Sequence, residues 1–171
     1  IDPYYYILYE ARLDQLNSLR LLTPENASHE ATVSPSSRYI VDSYSTVSQE
    51  PVNVVRNRNG KVIMTLDKPD LQPVYDLGWK APERFKVKAA DGVTDLYGVM
   101  WKPADFDSTK VYPIISNVYP GPFFEYVPTR FTINDVYNAR LAQLGFIVIT
   151  VGHRGGTPMR GKAYHTYGYN N

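Results

Sequence analysis

Short apolar runs separated by turn residues follow one another along the first seventy positions, and this is the pattern of an antiparallel sheet. The spacing predicts strands over 4–9, 19–22, 31–33, 39–44, 52–56 and 62–66. Asn59-Gly60 stands between the last two, and this dipeptide supplies the positive φ angles of a tight hairpin turn. The segment 12–17 is turn-like, although Leu13 and Leu16 could also begin a short helix. Strands recurring at roughly 8–12 residues are typical of a sandwich, barrel or propeller.

After residue 66 the pattern changes. Three prolines punctuate 66–82 without a clear period, which indicates an interdomain connection. A second hairpin, 84–89 and 94–101, is predicted about Asp91-Gly92, and a polar loop follows it. Strands are then predicted over 114–118 and 146–151, the second being continuously apolar as in a strand buried on both faces. With a helix between them they form a βαβ unit, so they should run parallel.

The helix between these strands is predicted from its cap and its apolar face. Thr132 followed three residues later by Asp135 resembles a capping box, and Gly145 occupies the position of a left-handed helix end. The residues expected on one apolar face are Ile133, Val136, Tyr137, Leu141 and Leu144.

Composition narrows the class of protein. Hydrophobic residues make up 43% of the 171 positions and the net charge is +1, so we expect a packed core and no nucleic-acid partner. The longest apolar runs are five or six residues, so no membrane span is expected. Without cysteine the chain has no disulfides or thiolate ligands. His29, His153 and His165 lack the spacing of metal ligands, and we expect neither a metal nor a cofactor, with His29 at the surface.

Two loops are the candidates for chemistry, because ligands of open α/β sheets bind at the carboxyl ends of strands. The first, 119–124, follows the strand 114–118, and the Tyr119 hydroxyl could donate a hydrogen bond to an oxyanion. The alternative is that Tyr119 fills a gap in the core. The second, 152–158, is basic and rich in glycine. It could bind an anion through backbone N–H groups and Arg154, or Arg154 could be buried and brace its neighbours.

A serine nucleophile is missing from the expected place. An α/β hydrolase carries its serine in Gly-x-Ser-x-Gly on a turn after a later strand. No such pentapeptide occurs here, and no serine follows Ser116. The turn that would bear the nucleophile is therefore expected beyond Asn171.

The segments KVYPIISNVYPGP (110–122) and PADFDSTK (103–110) resemble the start of the catalytic domain in the prolyl oligopeptidase family, in its dipeptidyl peptidase IV-like branch. GHRGGTPMRGK (152–162) is similar to the family's D-x-R-G-[ST]-x-x-x-G stretch. It departs at Gly152, where Asp is usual, and at Gly156, where Ser or Thr is usual. VSPSSRY (33–39) resembles a turn repeated in propeller blades.

The resemblance implies a fold of mixed class. Residues 1–75 would be antiparallel β, the C-terminal part of a β-propeller, and residues 76–171 the incomplete N-terminal part of an α/β-hydrolase domain. It implies a periplasmic or secreted serine exopeptidase that acts near the N-terminus of oligopeptides. Tyr119 would give its hydroxyl to the oxyanion hole. The Ser, Asp and His of the triad would follow Asn171, and the glutamates that hold the substrate amine would precede Ile1, so this chain alone should be inactive.

The sequence leaves two alternatives to a serine exopeptidase open. The parent could be a non-catalytic relative that serves as a binding module, or the chain could be a self-contained small β-rich domain. An incomplete sheet should expose strand edges and self-associate, and the parent could be a homodimer. No acidic residue occurs from Val136 to Asn171, so the partners of Arg140, Arg154, Arg160 and Lys162 are expected outside the chain.

Overall fold

Ten strands, three α-helices and one short 3-10 helix are formed by the residues that the structure, a computed structural model, describes: 2–135 and 137–169. The chain divides into two units. Unit 1 comprises Ile1–Asp70 and Thr129–Phe131, and unit 2 comprises Leu71–Pro128 and Thr132–Asn171.

Unit 1 contains a four-stranded antiparallel sheet in the order β3-β4-β5-β6. The β5–β6 hairpin confirms the turn predicted at Asn59-Gly60. Gly60 has φ 84° and its N–H donates to the Asn57 carbonyl (2.9 Å). The Asn57 side chain also accepts from the backbone N–H of Asn59 (2.9 Å) and of Lys61 (3.2 Å). The four strands are β3 Ser28–Val33, β4 Tyr39–Ser45, β5 Val52–Asn57 and β6 Val62–Asp67.

The N-terminal strand predicted over 4–9 is wrong for most of its length. Only Tyr9–Glu10 (β1) is a strand, and it pairs with Arg20–Leu21 (β2). The backbone before it forms hydrogen bonds with side chains as well as with other backbone groups: the Leu8 N–H donates to the Thr23 hydroxyl (2.8 Å) and that of Tyr4 to the Asp2 carboxylate (2.9 Å). The segment 12–17 is a turn, with Leu13 and Leu16 fully exposed.

The core of unit 1 lies on one face of this sheet. Ile40 and Val54, on β4 and β5, are each 2% exposed, and Tyr4, Leu22, Ala27 and Val47 are also buried in this unit. Residues 129–131 also contact the strands of unit 1. Arg130 forms an ion pair with Glu30, and the Phe131 N–H donates to the Ser45 hydroxyl (3.2 Å). A short piece of chain that follows β-strands of unit 2 in sequence therefore completes unit 1.

The edge strand β6 is exposed along its whole length, and its apolar side chains are Val62, Ile63, Met64 and Leu66. A long apolar edge is a template for pairing with another chain. We expect the chain to self-associate, which light scattering at several concentrations would detect. Ile63→Lys should weaken the association, whereas Lys61→Arg, at the start of the same segment, should not. A chain that stays monomeric at every concentration would contradict the expectation.

Unit 2 contains a second four-stranded sheet in the order β7-β8-β10-β9. Its strands are β7 Glu83–Lys88, β8 Asp95–Trp101, β9 Ile114–Ser116 and β10 Ile147–Val151. The antiparallel β7–β8 hairpin and the parallel pairing of β9 with β10 were both predicted and are confirmed. β10 also pairs antiparallel with β8, so the continuously apolar strand lies inside the sheet, as its sequence indicates.

Three short helices belong to unit 2: α1 Gln72–Asp76, α2 Asn138–Gln143 and α3 Lys162–His165. α1 lies in the segment where only an irregular connection was predicted. α2 is shorter than predicted, and its buried residues are Asn138 and Ala142.

The apolar face predicted for α2 is wrong for three residues: Ile133, Tyr137 and Leu144 are 47%, 73% and 74% exposed. Leu141 is half-buried, and Val136 lies outside the described residues. The predicted cap at Thr132 is also wrong, because α2 begins at Asn138; the Asp135 carboxylate accepts from the N–H groups of Tyr137 and Asn138 instead. Gly145 has φ 94°, as its predicted role at the helix end requires. Within the described ranges, none of the helices has the length and apolar content that a membrane crossing requires.

Candidate functional site

Tyr119 lies in the loop that follows β9, at the carboxyl end of a strand that runs parallel to its neighbour. Its side chain is 53% exposed, so it does not fill a gap in the core. The hydroxyl forms no hydrogen bond with any residue that the structure describes, and it is therefore available to a ligand. An exposed, unengaged hydroxyl is compatible with the predicted role of donor to an oxyanion, which stays a prediction.

The ring of Tyr119 is held from two sides. Phe124 packs edge-on against it, with ring centroids 5.4 Å apart. Gly121 lies directly beside it, and a Cβ at this position would be only 2.6 Å from Tyr119 Cε1. The Tyr-Pro-Gly-Pro sequence thus gives a stiff loop in which the glycine leaves room for the aromatic ring.

The second candidate loop, 152–158, uses its donors within the protein. The N–H groups of Gly152, Gly155 and Gly156 donate to the carbonyls of Tyr97, Tyr164 and His153. These contacts favour the bracing role considered for the loop over anion binding.

Arg154 in this loop is also engaged. Its guanidinium forms an ion pair with Asp91 (2.8 Å), and its Cζ lies 3.5 Å from the centroid of the Tyr167 ring. Hydrogen bonds from Thr94 and Val93, together with the charge of Arg154, lower the pKa of Asp91 to about 2. Asp91 is therefore ionised at neutral pH and holds Arg154 in place.

The expectation that the partners of the four basic residues lie outside the chain is wrong for two of them. Arg154 binds Asp91, and Arg160 donates to the Asp95 carbonyl (3.0 Å). The Arg160 guanidinium also lies over the rings of Tyr97 (5.2 Å) and Tyr164 (4.4 Å). For Arg160, aromatic faces and a backbone carbonyl replace a carboxylate. The lack of acidic residues after Val136 therefore did not leave these arginines without partners.

Glu125 joins the two loops, and sequence reasoning missed it. It is 6% exposed, and its Oε1 accepts from the His153 N–H (3.0 Å) and from the Tyr164 hydroxyl (2.9 Å). The available signal was a single acidic residue in the aromatic run Phe-Phe-Glu-Tyr. His165, on the same helix as Tyr164, donates through Nε2 to the Pro122 carbonyl (2.7 Å).

A cluster in unit 1 brings together the ligand types that could hold a metal: Glu25, His29 and Asp42. His29 is 5% exposed, so its predicted surface position is wrong. Its Nδ1 lies 3.0 Å from the Asp42 carboxylate, and its Nε2 lies 3.1 Å from the Glu25 carbonyl. Both ring nitrogens therefore face oxygen atoms of the protein.

Arg56 already occupies this cluster. The guanidinium donates to Asp42 (2.8 Å), to Glu25 (2.7 Å) and to the Gly60 carbonyl (3.0 Å). A cation added among these groups would have to displace the arginine and a histidine proton. The cluster therefore fits a buried ion-pair network better than a metal site.

The chain is similar to several known proteins, although no family model matches it. Dipeptidyl peptidase 8 of mouse is 36% identical over 75 residues, which is 43% of this chain. The protein named "Probable dipeptidyl-aminopeptidase B" of Aspergillus oryzae is 29% identical over 153 residues, 86% of this chain. A solved structure from Bacteroides ovatus, assigned as a dipeptidyl aminopeptidase IV, covers 83% of this chain with a TM-score of 0.68 and 33% identity. The chain is therefore similar to dipeptidyl peptidases of the dipeptidyl peptidase IV type.

The match covers a small share of each dipeptidyl peptidase. The chain spans 8% of the mouse protein, 17% of the Aspergillus protein and 20% of the Bacteroides chain. Both units of this dipeptidyl peptidase IV-like chain consist mainly of sheet, with few helices. The predicted resemblance to dipeptidyl peptidase IV-like proteins is thus confirmed.

Proposed function

We propose that this chain is part of a serine exopeptidase that hydrolyses peptide bonds near the N-terminus of oligopeptides. Residues 1–75 would be the C-terminal part of its propeller-like domain, and residues 76–171 the beginning of its α/β-hydrolase domain. The names of the relatives, which are dipeptidyl peptidases, support the reaction class. The antiparallel sheet of unit 1 is compatible with a propeller blade.

The arrangement of unit 2 supports the hydrolase assignment. β9 and β10 are parallel neighbours, and α2 lies between them in the chain, as in a βαβ unit. Both candidate loops leave the carboxyl ends of these strands, where open α/β sheets bind ligands. β9 is an edge strand, with Ile114 64% exposed, and further parallel strands could pair with it.

The exposed Tyr119 hydroxyl, free of hydrogen bonds to the described residues, is the observation that carries the proposal. In the proposed reaction it donates to the oxyanion that forms when the nucleophile attacks the scissile carbonyl. A second donor would be the backbone N–H after the nucleophile. The Ser, Asp and His of the triad are proposed to lie outside residues 1–171, so the isolated chain is expected to be inactive.

Replacing Tyr119 by phenylalanine in the full-length protein tests this role. We expect kcat on a chromogenic Xaa-Pro substrate to fall by about 10²–10³, because one oxyanion donor is lost. KM should change little, since the hydrogen bond forms mainly in the transition state. Tyr137→Phe, which removes another exposed hydroxyl of unit 2, should leave both constants unchanged. Equal rates for wild type and Tyr119→Phe would contradict the proposed role.

The position of the nucleophile is tested on the chain itself with a fluorophosphonate probe. No serine of residues 1–171 should be labelled, whereas the full-length protein should be. Labelling of a serine within this chain would overturn the proposal that the nucleophile lies elsewhere.

A non-catalytic binding module is the second candidate, and the observation that favours it is Gly152. The family usually has aspartate at this position, and here the N–H of the buried glycine donates to the Tyr97 carbonyl. A full-length protein that binds oligopeptides but shows no turnover and no probe labelling would support this second function.

A further inference from the structure

A buried carboxylate ends the loop that carries Tyr119. Glu125 is 6% exposed, and an ionised carboxylate is costly to bury unless donors surround it. Its Oε1 receives two hydrogen bonds, from the His153 N–H (3.0 Å) and the Tyr164 hydroxyl (2.9 Å). Both donors lie in the chain that follows β10. Glu125 therefore ties the first candidate loop to the second and to helix α3.

Gly156 is needed for this arrangement. A Cβ at this position would lie 2.5 Å from Glu125 Cγ, 2.6 Å from its Oε1 and 2.8 Å from His153 Cε1. Real Cβ atoms do not approach other atoms so closely. The glycine thus makes the space in which the carboxylate reaches the His153 N–H, and the site is built around Glu125.

Helix α3 holds the loop at a second point. His165 donates through Nε2 to the Pro122 carbonyl (2.7 Å), three residues before Glu125. Tyr164 and His165 are consecutive, so one short helix fixes both ends of the segment 122–125. We call these contacts the α3 clamp: Glu125 with Tyr164 and His153, and the Pro122 carbonyl with His165.

The clamp acts on Tyr119 through Phe124. Phe124 immediately precedes Glu125 and packs edge-on against the Tyr119 ring, with centroids 5.4 Å apart. A shift of Glu125 moves Phe124, and the exposed Tyr119 ring then loses the aromatic contact that orients it. We propose that Glu125 is a positioning residue that fixes the Tyr119 hydroxyl. The effect of Glu125 on catalysis rests on the proposed function, whereas the structural coupling between Glu125 and Tyr119 does not.

The coupling is tested by ¹⁵N NMR relaxation on the chain as it exists. The Gly121, Phe123 and Phe124 amides should have order parameters near about 0.85 in the wild type, and Glu125→Ala should lower them below about 0.6, because the hydrogen bonds of the clamp no longer hold this segment. Glu125→Gln should restore the high values, since its amide oxygen still accepts. Tyr164→Phe, which removes one donor and keeps the ring, should lie between them. The Val148 amide of β10 is the internal reference for general loosening.

Three results would overturn the proposal. One is unchanged order parameters at 121–124 in Glu125→Ala. Another is an equal decrease at these amides and at Val148, which would mean general destabilisation. The third is a Glu125→Gln variant as mobile as Glu125→Ala.

Kinetics of the full-length protein separate this proposal from the proposed function. If both hold, Glu125→Ala lowers kcat less than Tyr119→Phe does, and the double variant is no slower than Tyr119→Phe alone. If Tyr119→Phe keeps full activity, the oxyanion role fails, and the relaxation data alone decide the positioning. If Tyr119→Phe is impaired but Glu125→Ala is as active as wild type, the positioning role fails.

Discussion

Replacing Asp42 by alanine is expected to lower the free energy of unfolding of unit 1 by about 3–5 kcal/mol, the usual cost of removing one partner from a buried ion pair. Asp42 is fully buried and accepts from both His29 and Arg56. Its removal leaves Arg56, 1% exposed, with Glu25 as its remaining acidic partner in this cluster. His29 likewise keeps the Glu25 carbonyl and, at 4.0 Å, the Glu25 carboxylate. Two buried donors would lose a charged acceptor at once.

Urea unfolding followed by circular dichroism measures this loss. Both tryptophans, Trp79 and Trp101, lie in unit 2, so tryptophan fluorescence would not report on the sheet of unit 1. Asp67→Ala, an exposed acid on β6, is the control and should change stability by less than about 0.5 kcal/mol. If Asp42→Ala does not fold, Asp42→Asn gives the smaller effect of the charge alone. Equal stability of Asp42→Ala and Asp67→Ala would refute the ion-pair network.

Gly60→Ala is expected to lower the free energy of unfolding of unit 1 by about 2–5 kcal/mol. The alanine would have to adopt a positive φ, and its Cβ would clash with neighbouring atoms. Gly60 has φ 84°, which L-residues rarely adopt. A Cβ there would lie 2.8 Å from Leu22 Cα and still closer to the Leu22 carbonyl oxygen. Backbone atoms cannot move aside as a flexible side chain can. The displaced turn would also withdraw the Gly60 carbonyl from Arg56.

Gly92→Ala is the matched control, because Gly92 occupies the other hairpin turn with φ 70° and nothing within 4 Å of its Cβ position. It should cost only the backbone term, about 1–2 kcal/mol. Urea titrations of both variants by circular dichroism, with amide exchange of Val54 as the probe of unit 1, compare them. Similar losses for the two variants would show that the contact with Leu22 has no energetic weight.

Local chemistry explains which elements were predictable. Asn59-Gly60 and Asp91-Gly92 specify their turns by their own backbone preferences, and the alternating strands on either side pair accordingly. The parallel pair was predictable from the continuous apolar run 146–151, which only an interior strand tolerates. The position of Tyr119 followed from the same topology, because the carboxyl end of β9 lies beside that of β10.

The rest depended on contacts between residues distant in sequence. Residues 4–8 have the composition of a strand, but the hydroxyl of Thr23 takes the hydrogen bond from Leu8 that a ladder would use. In the sequence His29 follows polar turn residues, and only the folded sheet brings the Asp42 carboxylate within reach of its ring. Glu125 has no local motif, and its two donors are 28 and 39 residues away. Hydrophobic periodicity and turn-forming residues carry no information about contacts between residues so far apart in the sequence.

The placement of Thr129–Phe131 in unit 1 has a consequence for the order in which the protein is made. During synthesis, residues 1–70 leave the ribosome before Arg130 exists, so Glu30 has no ion-pair partner from this segment and Ser45 no Phe131 N–H. Unit 1 reaches its final set of contacts only after most of unit 2, β9 included, has been translated. The two units are therefore interleaved in time as well as in sequence, and residues 1–70 expressed by themselves would lack the last three residues of unit 1.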